Sequence, residues 1–140
     1  MTHQPYTVPI SCKGIVVEGG KVWLRRNERG EWELPGGKLD LGEQPIETVA
    51  REMREELGVN VEVGRPVANH LYVIGQNTDE AHGVLVSVYA CTFLERVGDV
   101  EHEGEAGRAQ FQSFPPDEIP GLTMPEFYKA AISQFLTNQA

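Results

Sequence analysis

The segment from Gly37 to Val59 places glycines and charged residues at fixed intervals, and it constrains the fold more than any other part of the chain. Gly36 and Gly37 permit a tight backbone turn, and Pro45 suits the first turn of a helix. Gly58 supplies a residue that readily adopts the left-handed conformation in which many helices end. The segment therefore predicts a tight turn, a connecting loop and one helix that ends immediately before a new strand.

The predicted helix carries an apolar and an acidic face side by side. At about 100° per residue, its apolar residues form one buried stripe. The stripe consists of Ile46, Val49, Ala50, Met53 and Leu57. With Glu52 placed at the origin of the helical wheel, Glu55 and Glu56 lie at about −60° and about +40°. Three carboxylates therefore share an arc at the edge of the buried face.

Carboxylates about 4 Å apart repel one another by about 1 kcal/mol in water and by more in a partly buried site. A bound cation or shifted pKa values would relieve that repulsion. Hard divalent ions that prefer oxygen ligands fit best, with Mg²⁺ as the first candidate and Mn²⁺ as a substitute. The alternative is a solvated acidic face balanced by Arg51 and Arg54, but it leaves Gly37, Glu43 and Gly58 unexplained.

The same segment, GKLDLGEQPIETVAREMREELGV, matches without a gap the pattern G-x5-E-x7-R-E-U-x-E-E-x-G-U, in which U is apolar. The chain therefore resembles the Nudix hydrolase family, and residues 37–59 are similar to its Nudix box. The resemblance implies a single Nudix hydrolase domain over residues 1–140. It also implies an α/β fold, namely a Nudix-type α/β/α sandwich with a mixed β-sheet between helices.

The resemblance further implies an enzyme, a Mg²⁺-dependent pyrophosphohydrolase that cleaves a phosphoric anhydride in a small nucleotide, such as a dNTP, ADP-ribose or a dinucleoside polyphosphate. Carried over by position, the metal ligands are Glu52, Glu55 and Glu56, and a carbonyl near Gly37 can also reach the metal. Glu52 is also the first candidate for the base that acts on water.

Two further roles follow from the family pattern. Arg51 orients the site by pairing with Glu43, although pairing with Glu47 or Glu55 remains open. In several family members a further base or ligand comes from a downstream loop. Here the first choice is Glu103 and the second is Glu105, with a solvated loop as the alternative; His102 is interpreted as a surface residue.

Candidate substrate-binding residues lie outside the box. Arg25 and Arg26 end a predicted strand where a cation could meet a phosphate, but alternation allows only one of them to face the ligand. Trp32 either stacks on a base or belongs to the core. Four further side chains lie where a substrate pocket could form, but packing is the favoured explanation for each: His70, Tyr72, His82 and Phe111. The physiological substrate stays undetermined.

The rest of the chain predicts strands before and after the central helix in sequence, which together form a mixed sheet between helices. A hairpin turns at Gly19 and Gly20, and the last strand covers residues 111–114. Residues 59–63 and 67–74 are predicted as separate strands, and residues 84–94 as one long strand. A C-terminal helix is predicted to begin at Thr123, because Thr123 and Glu126 form a capping-box pattern.

Composition excludes several classes of function. A net charge of −9 without a run of basic residues argues against large nucleic acids as partners, although a small nucleotide can bind through a metal. The N-terminus lacks signal-peptide features and no apolar run approaches about 20 residues, which predicts a cytoplasmic protein without a membrane partner. Cys12 and Cys91 are expected to be buried free thiols. A homodimer through an exposed strand edge is compatible with the sequence.

Two other functions compete with hydrolysis. One is a catalytically silent nucleotide-sensing Nudix domain, against which the intact set of acidic residues argues. The other is an isoprenyl diphosphate isomerase, which shares the fold but needs an added catalytic cysteine. Neither Cys12 nor Cys91 lies in a matching motif.

Overall fold

The computed structural model describes residues 3–74, 82–100 and 110–138. Within these ranges the strands are β1 (Ile10–Ile15), β2 (Val17–Glu18), β3 (Lys21–Arg26), β4 (Trp32–Glu33), β5 (Gly36–Lys38), β6 (Val59–Ile74), β7 (His82–Arg96) and β8 (Gln110–Phe114). The helices are α1 (Pro45–Leu57) and α2 (Glu126–Thr137), with a 3-10 helix at Pro116–Gly121 between β8 and α2.

The described strands form two four-stranded sheets. The first has the order β5-β1-β7-β6 and is mixed, because β1 runs parallel to β7 whereas the other neighbouring pairs are antiparallel. The second is antiparallel, with β3 pairing with β2, β4 and β8. The predicted hairpin is confirmed, since Val17 pairs with Val22 and Glu18 with Lys21.

The mixed sheet lies between two helical layers because the side chains of its strands alternate in direction. On one face, Cys12 and Cys91 pack with the buried side of α1, which includes Val49, Met53 and Leu57. The other face contributes Ile15, Val86 and Val88 to a second cluster that contains residues of the antiparallel sheet and of α2. This arrangement confirms the predicted α/β/α sandwich with a mixed sheet.

Two residues of the predicted apolar stripe are not fully buried: Ala50 is partly buried and Ile46 is exposed. Ile46 is 49% exposed, whereas Thr48 is fully buried. The loop before α1 explains the difference, because Thr48 Oγ1 donates a hydrogen bond to Glu43 Oε1 at 2.7 Å. The loop therefore covers the first turn on the Thr48 side and leaves Ile46 outside.

The predicted break between residues 63 and 67 is also wrong. β6 continues from Val59 to Ile74, with irregular register on both sides of Pro66. Proline lacks an N–H donor and is tolerated in strands at a sheet edge or a bulge. Since β6 is an edge strand of the mixed sheet, it passes through Pro66 with bulges instead of ending there.

The predicted start of the C-terminal helix is three residues too early. α2 begins at Glu126 with Pro125 as its N-cap, and no side-chain hydrogen bond caps it. A residue that precedes proline disfavours the helical region, which excludes Met124 from the helix. The Thr123 carbonyl instead accepts a hydrogen bond from Trp32 N at 2.8 Å.

Substitution of Gly58 by alanine is expected to destabilise the protein by about 2–4 kcal/mol. Gly58 ends α1 with φ at 71°, and a Cβ there would lie 2.5 Å from the carbonyl oxygen of Gly98. Urea unfolding measures the loss. Gly19→Ala is the matched control, because Gly19 has φ at 60° and open space around it, so it isolates the backbone cost. Equal losses in the two variants would contradict the close contact.

No helix in residues 3–74, 82–100 or 110–138 has the length and apolar character needed to cross a membrane. Cys12 and Cys91 are free and buried, as predicted.

Candidate active site

The loop before α1 is tied to the helix by one arginine. Arg51 donates from Nε to Glu43 Oε2 at 2.7 Å and from Nη2 to Glu43 Oε1 at 3.0 Å. Hydrogen bonds from Arg51 and then Thr48 lower the pKa of Glu43 to about 2. The Glu43 carboxylate therefore stays ionised across the neutral range, and the pair holds the loop in one position. At the helix start, Gln44 N donates to Glu47 Oε1 at 2.7 Å.

The same guanidinium contacts two carboxylates of α1. Arg51 Nη1 donates to Glu52 Oε2 at 3.0 Å and to Glu55 Oε1 at 3.1 Å. Pairing with Glu43 and pairing with Glu55, which the sequence left as alternatives, thus occur together. The two acids differ in exposure, since the Glu55 side chain is 58% exposed and that of Glu52 is 16% exposed.

Glu56 is directed towards β5, away from Arg51. Its Oε1 accepts a hydrogen bond from Gly36 N at 3.1 Å. Glu52 lies against the next residue of β5, because a Cβ on Gly37 would be 2.6 Å from Glu52 Oε2. Glycine at this position therefore lets the Glu52 carboxylate approach the backbone closely.

Burial, reinforced by the charge of Glu52, raises the pKa of Glu56 to about 8. The positive charges of Lys13 and Arg25 oppose this shift, as does the hydrogen bond from Gly36. Without a cation Glu56 is mainly protonated at pH 7. A divalent cation beside it would favour the ionised form, and carboxylate oxygens are the donors that such ions prefer.

The chemistry of the donor set thus fits a hard cation, although the described side chains are not already gathered around one point. In the described parts of the chain, no three His, Cys, Asp or Glu residues are arranged to hold a metal ion. Glu52 and Glu56 lie beside the Gly36–Gly37 backbone, whereas Glu55 extends into solvent. Glu103, Glu105 and His102 lie outside the described residues.

A buried ionic cluster lies beside Glu56, and the sequence analysis did not predict it. Its members are Lys13, Arg25, Asn27 and Glu33. Lys13 on β1 lies with its Nζ 3.7 Å from Glu33 Oε2, and the two side chains are 9% and 14% exposed. The same oxygen accepts from Arg25 Nη1, and Glu33 Oε1 accepts from Asn27 Nδ2 at 3.2 Å. The sequence signal for this cluster is a lysine within an otherwise apolar strand. Its partner Glu33 lies on another strand, so the sequence alone does not show that the two side chains meet.

The predicted substrate-binding residues separate into different environments. Arg25 pairs with Glu33 in the buried ionic cluster, whereas its neighbour Arg26 is exposed. Trp32 is partly buried, and its ring meets the Phe114 ring edge-on with centroids 4.8 Å apart. Trp32 packs against the core cluster that includes α2, as expected if it belongs to the core. Among the other pocket candidates, His70 stacks on Phe127 with centroids 4.2 Å apart.

Comparison with known proteins places this geometry in a family. The chain is 37% identical to a MutT-like protein of Streptomyces ambofaciens, over 79% of this chain and 66% of that protein. It is 38% identical to a putative 8-oxo-dGTP diphosphatase 2 of Mycobacterium tuberculosis, over 54% of this chain and 59% of that protein. The chain therefore spans less than two thirds of the length of these relatives.

The fold has solved counterparts. The crystal structure of the MutT protein from Methanosarcina mazei superimposes with a TM-score of 0.72 at 24% identity, covering 99% of this chain and 100% of that one. The model of the NUDIX domain matches residues 9–136. Because that match includes both sheets, both helices and the Glu43–Glu56 segment, the chain belongs to the Nudix family.

Proposed function

We propose that the protein is a Nudix pyrophosphohydrolase that uses Mg²⁺, with Mn²⁺ as a substitute, to cleave the pyrophosphate linkage of a small nucleotide. The observation that carries the proposal is the pair of α1 carboxylates, Glu52 and Glu56, beside the Gly36–Gly37 backbone. Burial and the negative charge of Glu52 disfavour the ionised form of Glu56 in the absence of a cation. A buried carboxylate beside a second negative charge destabilises the fold, so ion binding explains the pair better than packing does.

In this proposal Glu52, Glu55 and Glu56 would hold the metal together with the backbone at Gly37, and Glu103 is the downstream candidate. When bound, Mg²⁺ would neutralise the diphosphate and acidify the attacking water. Glu52 would accept a proton from that water, since its carboxylate lies against the glycine turn. Among the described residues, Glu55 is held by its exposed contact with Arg51, and turning its carboxylate inwards requires breaking that contact.

Cations on this chain would complete the site. Arg51 acts by holding Glu43 and Glu52, and so positions the loop relative to α1. Arg25 lies close enough to lower the pKa of Glu56, which makes it the better of the two adjacent arginines for contacting a substrate phosphate. The relative from Mycobacterium tuberculosis is named as a putative diphosphatase of 8-oxo-dGTP, which supports a nucleotide substrate.

The proposed setting is the cytoplasm, where free thiols such as Cys12 and Cys91 persist. The outer edge of β6 is where a homodimer could form, because β6 ends the mixed sheet in the described part of the chain.

A substrate panel tests the function. Purified protein is incubated with dNTPs, ADP-ribose, diadenosine polyphosphates and sugar nucleotides, and the products are separated by chromatography. We expect cleavage of at least one substrate with Mg²⁺ and none with excess EDTA. Nucleotide binding without any product at saturating Mg²⁺ would favour the silent sensing domain instead.

A further inference from the structure

A cleft with a volume of about 160 Å³ lies beside the candidate active site. Its walls are mostly apolar or aromatic, and two of its polar residues belong to the buried ionic cluster. The lining includes Lys13, Glu33, Tyr72, Val84, Val86 and Tyr128. This volume is below the roughly 300 Å³ at which pockets for drug-sized ligands begin, so it suits one flat heteroaromatic ring system better than a whole nucleotide.

The cleft is connected to the α1 carboxylates through β1 and β5. Lys13 on β1 is the register partner of Gly36, whose N–H donates to Glu56. A substrate with its anhydride at Glu52 and Glu56 could therefore extend its base towards Lys13. The aromatic rings of Tyr72 and Tyr128 offer faces and edges to such a base.

Lys13 and Glu33 present opposite hydrogen-bonding groups to the cleft. A lysine ammonium only donates, and an ionised carboxylate only accepts. The 3.7 Å between Lys13 Nζ and Glu33 Oε2 is too long for a hydrogen bond, so the ammonium keeps donors available to a ligand. Each carboxylate oxygen can accept two bonds, so the contacts from Arg25 and Asn27 do not exhaust Glu33.

A donor beside an acceptor complements a ligand edge that presents an acceptor beside a donor. Guanine has such an edge, with its O6 carbonyl next to N1–H, and thymine and uracil have it in O4 and N3–H. Adenine and cytosine present an amino donor beside a ring nitrogen acceptor, which is the reverse order. With the anhydride held at the α1 carboxylates, the glycosidic bond keeps the base in one orientation, so adenine and cytosine would set their donor against Lys13 and their acceptor against Glu33.

We propose that Lys13 and Glu33 are specificity-determining residues that select nucleotides with a keto–imino base edge, guanine or thymine and uracil, over adenine and cytosine. The inference rests on the proposed function, because it takes the phosphates to lie at the α1 carboxylates. Beyond the proposed function, the inference specifies which bases the site accepts.

Calorimetric binding of dGMP, dTMP, dAMP and dCMP tests the proposal without requiring turnover. For the wild-type protein we expect dGMP or dTMP, or both, to bind about 10- to 100-fold more tightly than dAMP and dCMP, as expected for one bidentate base contact. The dGMP and dTMP measurements distinguish a purine from a pyrimidine site.

Two variants assign the preference to the residues. Lys13→Met removes the donor, and Glu33→Gln allows an amide donor to face the base, so each should narrow the preference to within about threefold. Lys21→Met is the control for loss of a lysine, since Lys21 is exposed at the start of β3, and it should keep the wild-type preference. Thermal melting checks each variant, and Glu33→Gln suffices if Lys13→Met does not fold.

Equal affinity of the wild-type protein for all four nucleotides would overturn the proposal, as would an unchanged preference in every folded variant. Hydrolysis without base preference would overturn this inference and leave the proposed function standing. Base preference without hydrolysis of any substrate would overturn the proposed function and leave Lys13 and Glu33 as the residues that select the base.

Discussion

Replacing Glu56 by glutamine is expected to lower turnover by about a thousandfold or more at saturating Mg²⁺. Glutamine keeps the shape of the side chain and its contact with Gly36, but it cannot carry the negative charge that holds a cation. Glu52→Gln should have an effect of similar size, because the second charge of the pair is then missing. Initial rates on the best substrate of the panel measure both losses.

A matched control separates loss of this charge from loss of any glutamate. Glu62 is exposed on β6, away from α1, so Glu62→Gln should retain wild-type turnover. Calorimetry with Mg²⁺ or Mn²⁺ should show uptake by the wild-type and Glu62→Gln proteins and weakened uptake by Glu56→Gln. Turnover of Glu56→Gln within about tenfold of wild type would show that the metal is held elsewhere.

The same substitution is expected to stabilise the metal-free protein at neutral pH by about 3 kcal/mol. The folded state raises the pKa of Glu56 from 4.5 to about 8, so it favours the protonated carboxyl. The contribution of this group to stability is therefore fully present below pH 4.5 and is lost as the pH rises towards 8. Glutamine resembles the protonated form at every pH and avoids that loss.

Urea unfolding in EDTA at several pH values measures this effect. The difference in unfolding free energy between Glu56→Gln and wild type should be small near pH 4.5 and should grow until about pH 8. Added Mg²⁺ should reduce the difference, because it stabilises only the protein that binds it. Glu62→Gln is the control for loss of an exposed glutamate in the same measurement. A difference independent of pH would mean that burial does not penalise the Glu56 charge.

The two results together would describe a residue kept for function at the expense of folding. A carboxylate that destabilises the metal-free protein but is required for metal-dependent turnover is hard to explain as a packing residue. A solvated acidic face predicts neither effect, because exposed carboxylates tolerate substitution.

Local patterns in the sequence were sufficient for α1. Its start at Pro45, its end before Gly58 and its buried residues Val49, Met53 and Leu57 all follow from helix periodicity and capping. These interactions join residues at most a few positions apart, so the sequence contains both partners in one window. The family pattern in the same window also predicted the fold class.

Other features depended on which strands meet. Alternation predicted that Arg25 and Arg26 face opposite sides of the sheet, but only the pairing of β3 with β4 shows that Arg25 lies opposite Glu33. Lys13 became part of a buried ionic cluster only because the fold brings its side chain to Glu33 on β4. Likewise, Thr48 and not Ile46 is enclosed because the loop carrying Glu43 folds over one side of α1.

The sequence by itself thus determined the helix, its caps, the spacing of its acids and the family. The tertiary structure decided which acids are buried, which cations accompany them and how far the pKa of Glu56 rises. The physical reason is the range of the forces involved. Helix periodicity and capping act over a few residues, whereas desolvation and charge pairing depend on segments distant in sequence that only the folded chain brings together.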